Sequence, residues 1–173
     1  MTTIDKVVAN RVDNYHLWYE DYMRTLYRWA EEEDAKLIYE VGIFTAKSTA
    51  AFLVSLSHRD GRLISCDINP HTERMMEYAD LERFWTCRIM SSKDFIETLS
   101  EQADMVYLDG SHTYDAVSHE LRGFWPLVKP GGLIIVHDIG IPEEKKIIED
   151  WLPENAEVQY IPIGPGFAKV RKL

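Results

Sequence analysis

The stretch Lys36–Phe52, KLIYEVGIFTAKSTAAF, places an acid, a glycine and the start of a helical pattern at a spacing that can bind a ligand. Residues 37–39 form the kind of apolar run that fills a strand buried on both faces, and the helical pattern begins at Lys47. A strand, a tight turn and a helix present backbone N–H groups to a bound ligand. Gly42 gives the turn conformational freedom and lets a ligand approach the backbone closely. Glu40 puts a carboxylate at the carboxyl end of the strand, where open α/β sheets bind ligands.

Three interpretations of this loop are open. A phosphate-binding loop, G-x-x-x-x-G-K-[ST], is matched by Lys47-Ser48, but Ala46 replaces its second glycine and Gly42 lies one residue too close. The E-x-G-x-x-x-G-x-S loop of class I S-adenosylmethionine (SAM) methyltransferases fits in register, again with Ala46 at the second glycine. Its acid, Glu40, suits a cationic sulfonium and would repel a triphosphate. The third interpretation, an ordinary turn between a strand and a helix, is less favoured than the SAM loop.

Composition narrows the class of protein. The chain has 173 residues, of which 46% are hydrophobic and 28% charged, as in an ordinary globular domain. A net charge of −10 argues against a general nucleic-acid or anionic-membrane binder, because both need clustered cations. There is no bilayer-spanning apolar run or signal peptide, and the two cysteines lie in apolar runs. We expect one cytoplasmic domain over residues 1–173, with a helical extension at 1–35 and a core at 36–173.

The chain alternates strand and helix patterns after its first helix. Strands are predicted at 37–39, 62–67, 84–89, 104–108, 133–136, 158–161 and 167–170, and helices at 12–31, from 47, and at 71–80, 115–124 and 143–152. Alternating units that end in an antiparallel hairpin predict an α/β protein, a doubly wound sheet of seven strands with helices on both faces. The aromatic residues of 12–31 are expected to pack on this sheet; alternatively, some of them and His16 cover an acceptor pocket.

Three later strands end in polar residues. Asp67 ends the second strand, about 20 residues past the loop glycine, where α/β proteins bind a ribose diol. Ser91 and Ser92 follow the third strand and either cap the next helix or lie beside an adenine whose ribose Asp67 holds. Asp109 and His112, three residues apart on the loop after the fourth strand, can face one cavity.

Two longer stretches carry a resemblance to a known family. VYLDGSHTYDAV and LVKPGGLIIVHD resemble the small class I O-methyltransferases, which include the catechol and caffeoyl-CoA types and metal-dependent enzymes that methylate macrolide sugars. The resemblance covers roughly residues 36–172 and five elements in order: EVGIFTAKS, the CD pair of the second strand, DGSH, PGG and HD. It implies a Rossmann-like sheet of order 3-2-1-4-5-7-6, with the last strand antiparallel and SAM over the ends of strands one to four.

The resemblance also implies which residues bind the cofactor, S-adenosyl-L-methionine. Glu40 and Gly42 would lie at its methionine part, with Ser48 close by. Asp67 would bind the ribose, and Ser92 would lie near the adenine. Asp109 would lie beside the cofactor as well.

A catalytic set follows from the same resemblance. Asp109 and Asp138 would hold a divalent metal, magnesium or manganese, with His137 at the position of a third ligand, and His112 would be the general base. His137 replaces an acidic residue of the family, which weakens the case for magnesium and favours manganese, iron or zinc. A histidine that contacts no metal is the alternative for His137.

The sequence therefore predicts a SAM-dependent methyltransferase that methylates a hydroxyl group on a small molecule or sugar, with a divalent metal as an option. Two alternatives are open: a SAM-binding module without catalysis, and a hydroxylase-like relative with similar DG-x-H motifs. The expected partner is a small-molecule hydroxyl acceptor, with no nucleic acid and no membrane. A homo-oligomer is compatible with the short chain, because a partner subunit could supply the lid.

Overall fold

The computed structural model describes residues 3–11, 18–69, 80–140 and 142–173. Within these ranges, seven strands form one sheet: β1 Leu37–Val41, β2 Arg62–Asp67, β3 Trp85–Ile89, β4 Ala103–Leu108, β5 Val128–His137, β6 Ala156–Ile161 and β7 Phe167–Lys172. The α-helices in the same ranges are α1 Ile4–Arg11, α2 Trp18–Glu32, α3 Lys47–Ser57, α4 Ser92–Glu97, α5 Tyr114–Phe124 and α6 Pro142–Trp151. No helix of this part of the chain is long and apolar enough to cross a membrane.

The strand order is β3-β2-β1-β4-β5-β7-β6, and β7 runs antiparallel to both β5 and β6. The other neighbouring pairs are parallel. The predicted doubly wound α/β fold is therefore confirmed, including its strand order and its antiparallel last strand. In such a sheet the direction of winding reverses between β1 and β4, and the loops that leave these strands separate to form a crevice.

Alternate residues of the central strands supply two separate cores. Ile38 and Tyr107 point to the face covered by α2 and α3, whereas Tyr39 and Leu108 point to the face covered by α5 and α6. All four side chains are buried, as the period of two in a strand requires when both faces carry helices. The apolar runs seen in the sequence are the strands that serve both cores.

Some predicted boundaries differ from the structure. The helix predicted at 12–31 is α2 from Trp18 onward; its part at 12–17, with His16, lies outside the described residues, as does most of the helix predicted at 71–80. The helix α1 was not predicted. The strand predicted from Leu133 begins at Val128, because Val128 already pairs with Ala103 of β4. The Lys-Pro-Gly-Gly segment between Val128 and Leu133 lies at a register shift in this pairing. Gly132 is needed there, since an added Cβ would lie 2.8 Å from the carbonyl oxygen of Asp104.

The loop between β1 and α3 contains three residues with left-handed backbone. Gly42, Phe44 and Ala46 have φ values of 87°, 40° and 54°. An added Cβ at Gly42 would lie 2.0 Å from the carbonyl oxygen of Asp109, so glycine is required by the neighbouring strand end as well as by the turn. Ala46 is the residue that precedes α3. Its left-handed backbone gives a physical reason for glycine at this position in the methyltransferase loop, and alanine there is strained.

Ala46→Gly should raise the free energy of unfolding by up to about 1 kcal/mol, because relief of the left-handed strain exceeds the added entropy of the unfolded chain. The matched control is Ala50→Gly, a buried position inside α3, where the same change should lower stability by about 1 kcal/mol or more. Urea unfolding of both variants measures the two effects. Equal destabilisation by both changes would contradict the strain at Ala46.

Candidate functional site

A cavity of about 840 Å³ opens at the carboxyl edge of the parallel strands. Its walls come from α2 and from the loops that follow β1 to β5. The predicted site residues that line it are Gly42, Ser48, Asp67, Ser92, Asp109, His112, His137 and Asp138. The fold thus brings all but one of the predicted site residues to one cavity, as expected when parallel strands end at a common edge.

Glu40 is the exception, because its side chain is fully buried behind the cavity wall. Three hydroxyl groups donate to its carboxylate: Ser48 Oγ at 2.7 Å, Thr49 Oγ1 at 2.9 Å and Ser65 Oγ at 2.6 Å. Burial raises the pKa of Glu40 to about 7, against the opposing effect of these hydrogen bonds. The geometry connects Glu40 to the cavity through Ser48, whose hydroxyl it orients.

Asp67 joins the end of β2 to the loop after β1. Its Oδ2 accepts hydrogen bonds from the backbone N–H groups of Ile43 at 2.8 Å and Phe44 at 3.2 Å, and its Oδ1 accepts from Asn69 N–H at 2.9 Å. The carboxylate also lines the cavity. Asp67 therefore orders the strained loop and faces the space where a ligand would lie.

The two serines after β3 have different surroundings. Ser91 is the N-cap of α4, and its Oγ accepts a hydrogen bond from the backbone N–H of Asp94 at 3.2 Å. Ser92 lines the cavity, and its side chain is close enough to Glu120 to favour the charged form of that carboxyl group. Helix capping thus falls to Ser91, and the Ser92 hydroxyl is available beside the cavity.

The ends of β4 and β5 bring two acids and two histidines together. His137 Nδ1 lies 3.1 Å from Asp109 Oδ1 and 3.3 Å from Asp138 Oδ1. His112 Nε2 lies 3.3 Å from Asp138 Oδ2, on a side chain that is 41% exposed, whereas His137 is buried. Asp138 has a left-handed φ of 61°, a strained conformation of the kind that concentrates at functional sites.

Asp109, His137 and Asp138 fit a divalent cation by their chemistry. One potential ligand atom from each residue lies within 4.8 Å of the others. Two carboxylate oxygens and an imidazole nitrogen are ligands that manganese, iron and zinc accept, whereas magnesium prefers oxygen alone. A protonated His137 between the two carboxylates would place positive charge in the same position, so the geometry is compatible with both alternatives for this histidine.

A chain of hydroxyl groups connects α2 to Asp109. Tyr107 Oη donates to Asp109 Oδ2 at 3.0 Å, and Tyr22 Oη lies 2.6 Å from Tyr107 Oη. Burial raises the pKa of both tyrosines well above the usual range, so both stay protonated and can donate. Since the Tyr107 hydrogen is used on Asp109, Tyr22 is the donor of the shorter contact. Tyr107 and His137 thereby hold different oxygens of the Asp109 carboxylate.

The aromatic residues of α2 do more than pack on the sheet. Trp18, Tyr19 and Tyr22 line the cavity, while Leu26 and Trp29 are buried in the core beneath. Tyr22 also packs against His137, with ring centroids 5.1 Å apart. The interpretation that the helix only packs on the sheet was therefore incomplete, and the structure favours a role for its first turns in the pocket.

Sequence reasoning missed two charged residues of the cavity, Lys47 and Glu120. Lys47 is buried with its Nζ 3.9 Å from the Tyr19 ring centroid, and Glu120 is 2% exposed. The signal for Glu120 was present, since it shares the apolar face of α5 with Val117, Leu121 and Phe124 at steps of three and four residues. Lys47 was noted only in the match to a phosphate-binding loop, and its burial could not be predicted because it depends on α2 crossing α3.

The sheet order and the cavity at its carboxyl edge define a class I methyltransferase, the class that the sequence resemblance predicted. Residues 39–139 match the sequence family described as "Methyltransferase domain", and the chain belongs to this family. The predicted methyltransferase is thereby confirmed. No curated protein matches the chain by sequence.

Solved structures of low sequence identity share this fold. Cofactor-bound Rv0187 from MTB is 17% identical, with a TM-score of 0.79 over 96% of this chain and 85% of that one. The Bacillus cereus O-methyltransferase, solved with SAH, is 16% identical, with a TM-score of 0.77 over 98% and 90% of the two chains. The O-methyltransferase TomG of Streptomyces achromogenes, involved in tomaymycin synthesis and solved with SAM, is 15% identical, with a TM-score of 0.76 over 98% and 87%.

Proposed function

We propose that the protein is a SAM-dependent O-methyltransferase that methylates a hydroxyl group of a small molecule, a sugar hydroxyl included. The proposal rests on one observation: two sets of residues line the same cavity. One set is Asp67 with the β1–α3 loop, and the other is Asp109, His112, His137 and Asp138. One part of this cavity suits a nucleoside with an amino-acid tail, and the adjacent part suits a hydroxyl acceptor. The Bacillus cereus and Streptomyces achromogenes structures, solved with SAH and SAM, support this cofactor.

The cofactor is proposed to lie along the ends of the first four strands. Gly42 and Ser48 would contact its methionine part, with Glu40 acting through the Ser48 hydroxyl that it holds at 2.7 Å. Asp67 would accept hydrogen bonds from the ribose hydroxyls, and Ser92 would lie near the adenine. SAM supplies an electrophilic methyl group for in-line displacement by the acceptor oxygen, so alignment by the protein contributes much of the rate.

His112 is proposed to take the proton of the acceptor hydroxyl. Its Nε2 lies 3.3 Å from Asp138 Oδ2, so Asp138 can stabilise the protonated ring. Trp18, Tyr19 and Tyr22 form an aromatic wall beside this group that can orient the acceptor and exclude water. Asp109 would contribute to catalysis by holding the other groups in place.

Asp109, His137 and Asp138 are proposed to hold a divalent metal. Such a metal would lower the pKa of a bound hydroxyl group. The imidazole in this set favours manganese over magnesium.

The hydroxylase-like alternative has one observation in its favour, since a ligand set with histidine also suits iron. A methyltransferase adds a methyl group from SAM to the acceptor, whereas a hydroxylase adds oxygen. Mass spectrometry of the product distinguishes them, and binding of SAM with no product from a broad acceptor screen would favour the module without catalysis.

Asp67→Ala should weaken binding of S-adenosylhomocysteine by roughly 1.5–3 kcal/mol, because the ribose hydroxyls lose a charged acceptor. Asp67→Asn is the matched control: its amide oxygen can still accept from the N–H groups of Ile43 and Phe44, so a smaller loss is expected. Isothermal calorimetry measures both. Failure of the wild type to bind S-adenosylhomocysteine at millimolar concentration, or tighter binding of ATP, would overturn the proposed cofactor.

Manganese should bind the wild-type protein more tightly than magnesium, and Asp138→Asn should weaken manganese binding at least about tenfold by removal of a ligand charge. Asp115→Asn, an exposed acid on α5, controls for loss of general negative charge. Calorimetric titration of each protein with each metal gives the comparison. An equal response of the two variants would argue that His137 and the two acids form a metal-free ion-pair group.

His112→Ala should lower the rate of methyl transfer by about a hundredfold to ten-thousandfold, the usual effect of removing a general base from an intact site. Binding of S-adenosylhomocysteine and the melting temperature should change little, since His112 is partly exposed. The control is His119→Ala, which removes an exposed histidine of α5 that does not line the cavity and should leave the rate unchanged. Turnover with an acceptor found by screening is the measurement, and full activity of His112→Ala would show that the base is another group.

A further inference from the structure

Glu120 is a buried carboxyl group to which the proposed mechanism assigns no task. It is 2% exposed, and it is one of the residues that line the cavity. Its neighbours on the same face of α5, Val117 and Leu121, are apolar and fully packed. Burial of a carboxyl group costs free energy unless hydrogen bonds compensate. The side chain of Ser92 favours the charged form of this group, and a carboxyl group has the capacity for several hydrogen bonds.

The carboxyl group of Glu120 lies between the loops that follow β3 and β4. Its Oε1 is 3.7 Å from the position that a Cβ at Gly110 would occupy. Glu120 therefore lies against the loop after β4. Ser92, which it contacts, is the first residue of α4 after β3. This position is on the wall of the cavity, between the ends of β3 and β4.

The next step rests on the proposed function. With the ribose on Asp67 at the end of β2, the base of SAM extends over the loop after β3 toward Ser92. An adenine edge presents a 6-amino donor beside a ring nitrogen that accepts. A carboxylic acid presents the complementary pair, a carbonyl oxygen that accepts and a hydroxyl that donates. We propose that Glu120 is a specificity-determining residue that binds the 6-amino edge of the adenine of SAM.

The state of the carboxyl group supports this assignment. Burial raises the pKa of Glu120 to about 7, while the Ser92 hydrogen bond and the nearby His112 oppose the shift. A large fraction of the group is therefore protonated at neutral pH and can donate as well as accept. If the protonated form binds adenine better, affinity is highest at low pH and is lost as the pH rises through about 7. Among the described residues, the titratable groups that interact with Glu120 are His112, on the loop after β4, and Cys66, near the end of β2.

The experiment is a binding cycle with two ligands and three proteins. The ligands are S-adenosylhomocysteine and its analogue with purine in place of adenine, which lacks only the 6-amino group. In the wild type, loss of the amino group should weaken binding about tenfold or more. In Glu120→Met, an apolar replacement of similar length, the two ligands should bind about equally. In Glu120→Gln, whose amide both donates and accepts, the preference for adenine should be retained.

A second arm uses the pH dependence. Affinity of the wild type for S-adenosylhomocysteine should fall about tenfold between pH 6 and pH 8.5, and this fall should be absent in Glu120→Gln, which does not titrate. His112 is present in both proteins, so its contribution cancels in the comparison. This arm does not require Glu120→Met to fold.

The outcomes separate this inference from the proposed function. Equal binding of both ligands by the wild type, an undiminished preference in folded Glu120→Met, or the same pH dependence in Glu120→Gln as in the wild type would each overturn the role of Glu120. In all three cases binding of S-adenosylhomocysteine would still support the proposed cofactor. Absence of any binding by the wild type would overturn both.

Discussion

The close approach of β1 and β4 at their carboxyl ends is the constraint on which the site depends. The N–H of Asp109 donates to the carbonyl oxygen of Val41 at 2.9 Å, and Gly42 passes so near the Asp109 carbonyl that no Cβ fits. This contact sets the loop after β1 beside the loop after β4, so the proposed cofactor loop and the acidic group share one cavity. A larger residue at position 42 would push these two strand ends apart.

Several acids lie at the cavity or, like Glu40, just behind its wall, and different interactions accommodate each of them. Backbone N–H groups bind Asp67, a tyrosine hydroxyl and an imidazole bind Asp109, and hydroxyl groups surround the buried Glu40. Burial raises the pKa of Glu40 and Glu120 to about 7, which lets these two acids be neutral at little cost. A pocket lined in this way is compatible with the proposed cofactor, in which a cationic sulfonium is joined to an adenosine.

The sequence alone determined the fold and most of the cavity. Apolar runs alternating with helical patterns predicted the sheet, because strands that are buried on both faces need apolar residues at every position. Asp67, Asp109 and His137 were recognisable because each stands at or just after the last residue of such a run, and parallel strands carry these positions to one edge. The order of motifs along the chain carried the resemblance to the methyltransferase family, and that resemblance implied the strand order.

The tertiary structure decided which residues complete the site. Tyr22 and Tyr107 are 85 residues apart, and their contact depends on how α2 packs over the sheet. Glu40 matches the loop motif, but its side chain is buried behind Ser48. Glu120 lines the cavity from a face of α5 whose other residues belong to the core. The reason is general: a strand end is located by local periodicity, whereas a side chain's contacts across layers depend on helix packing that no local pattern encodes.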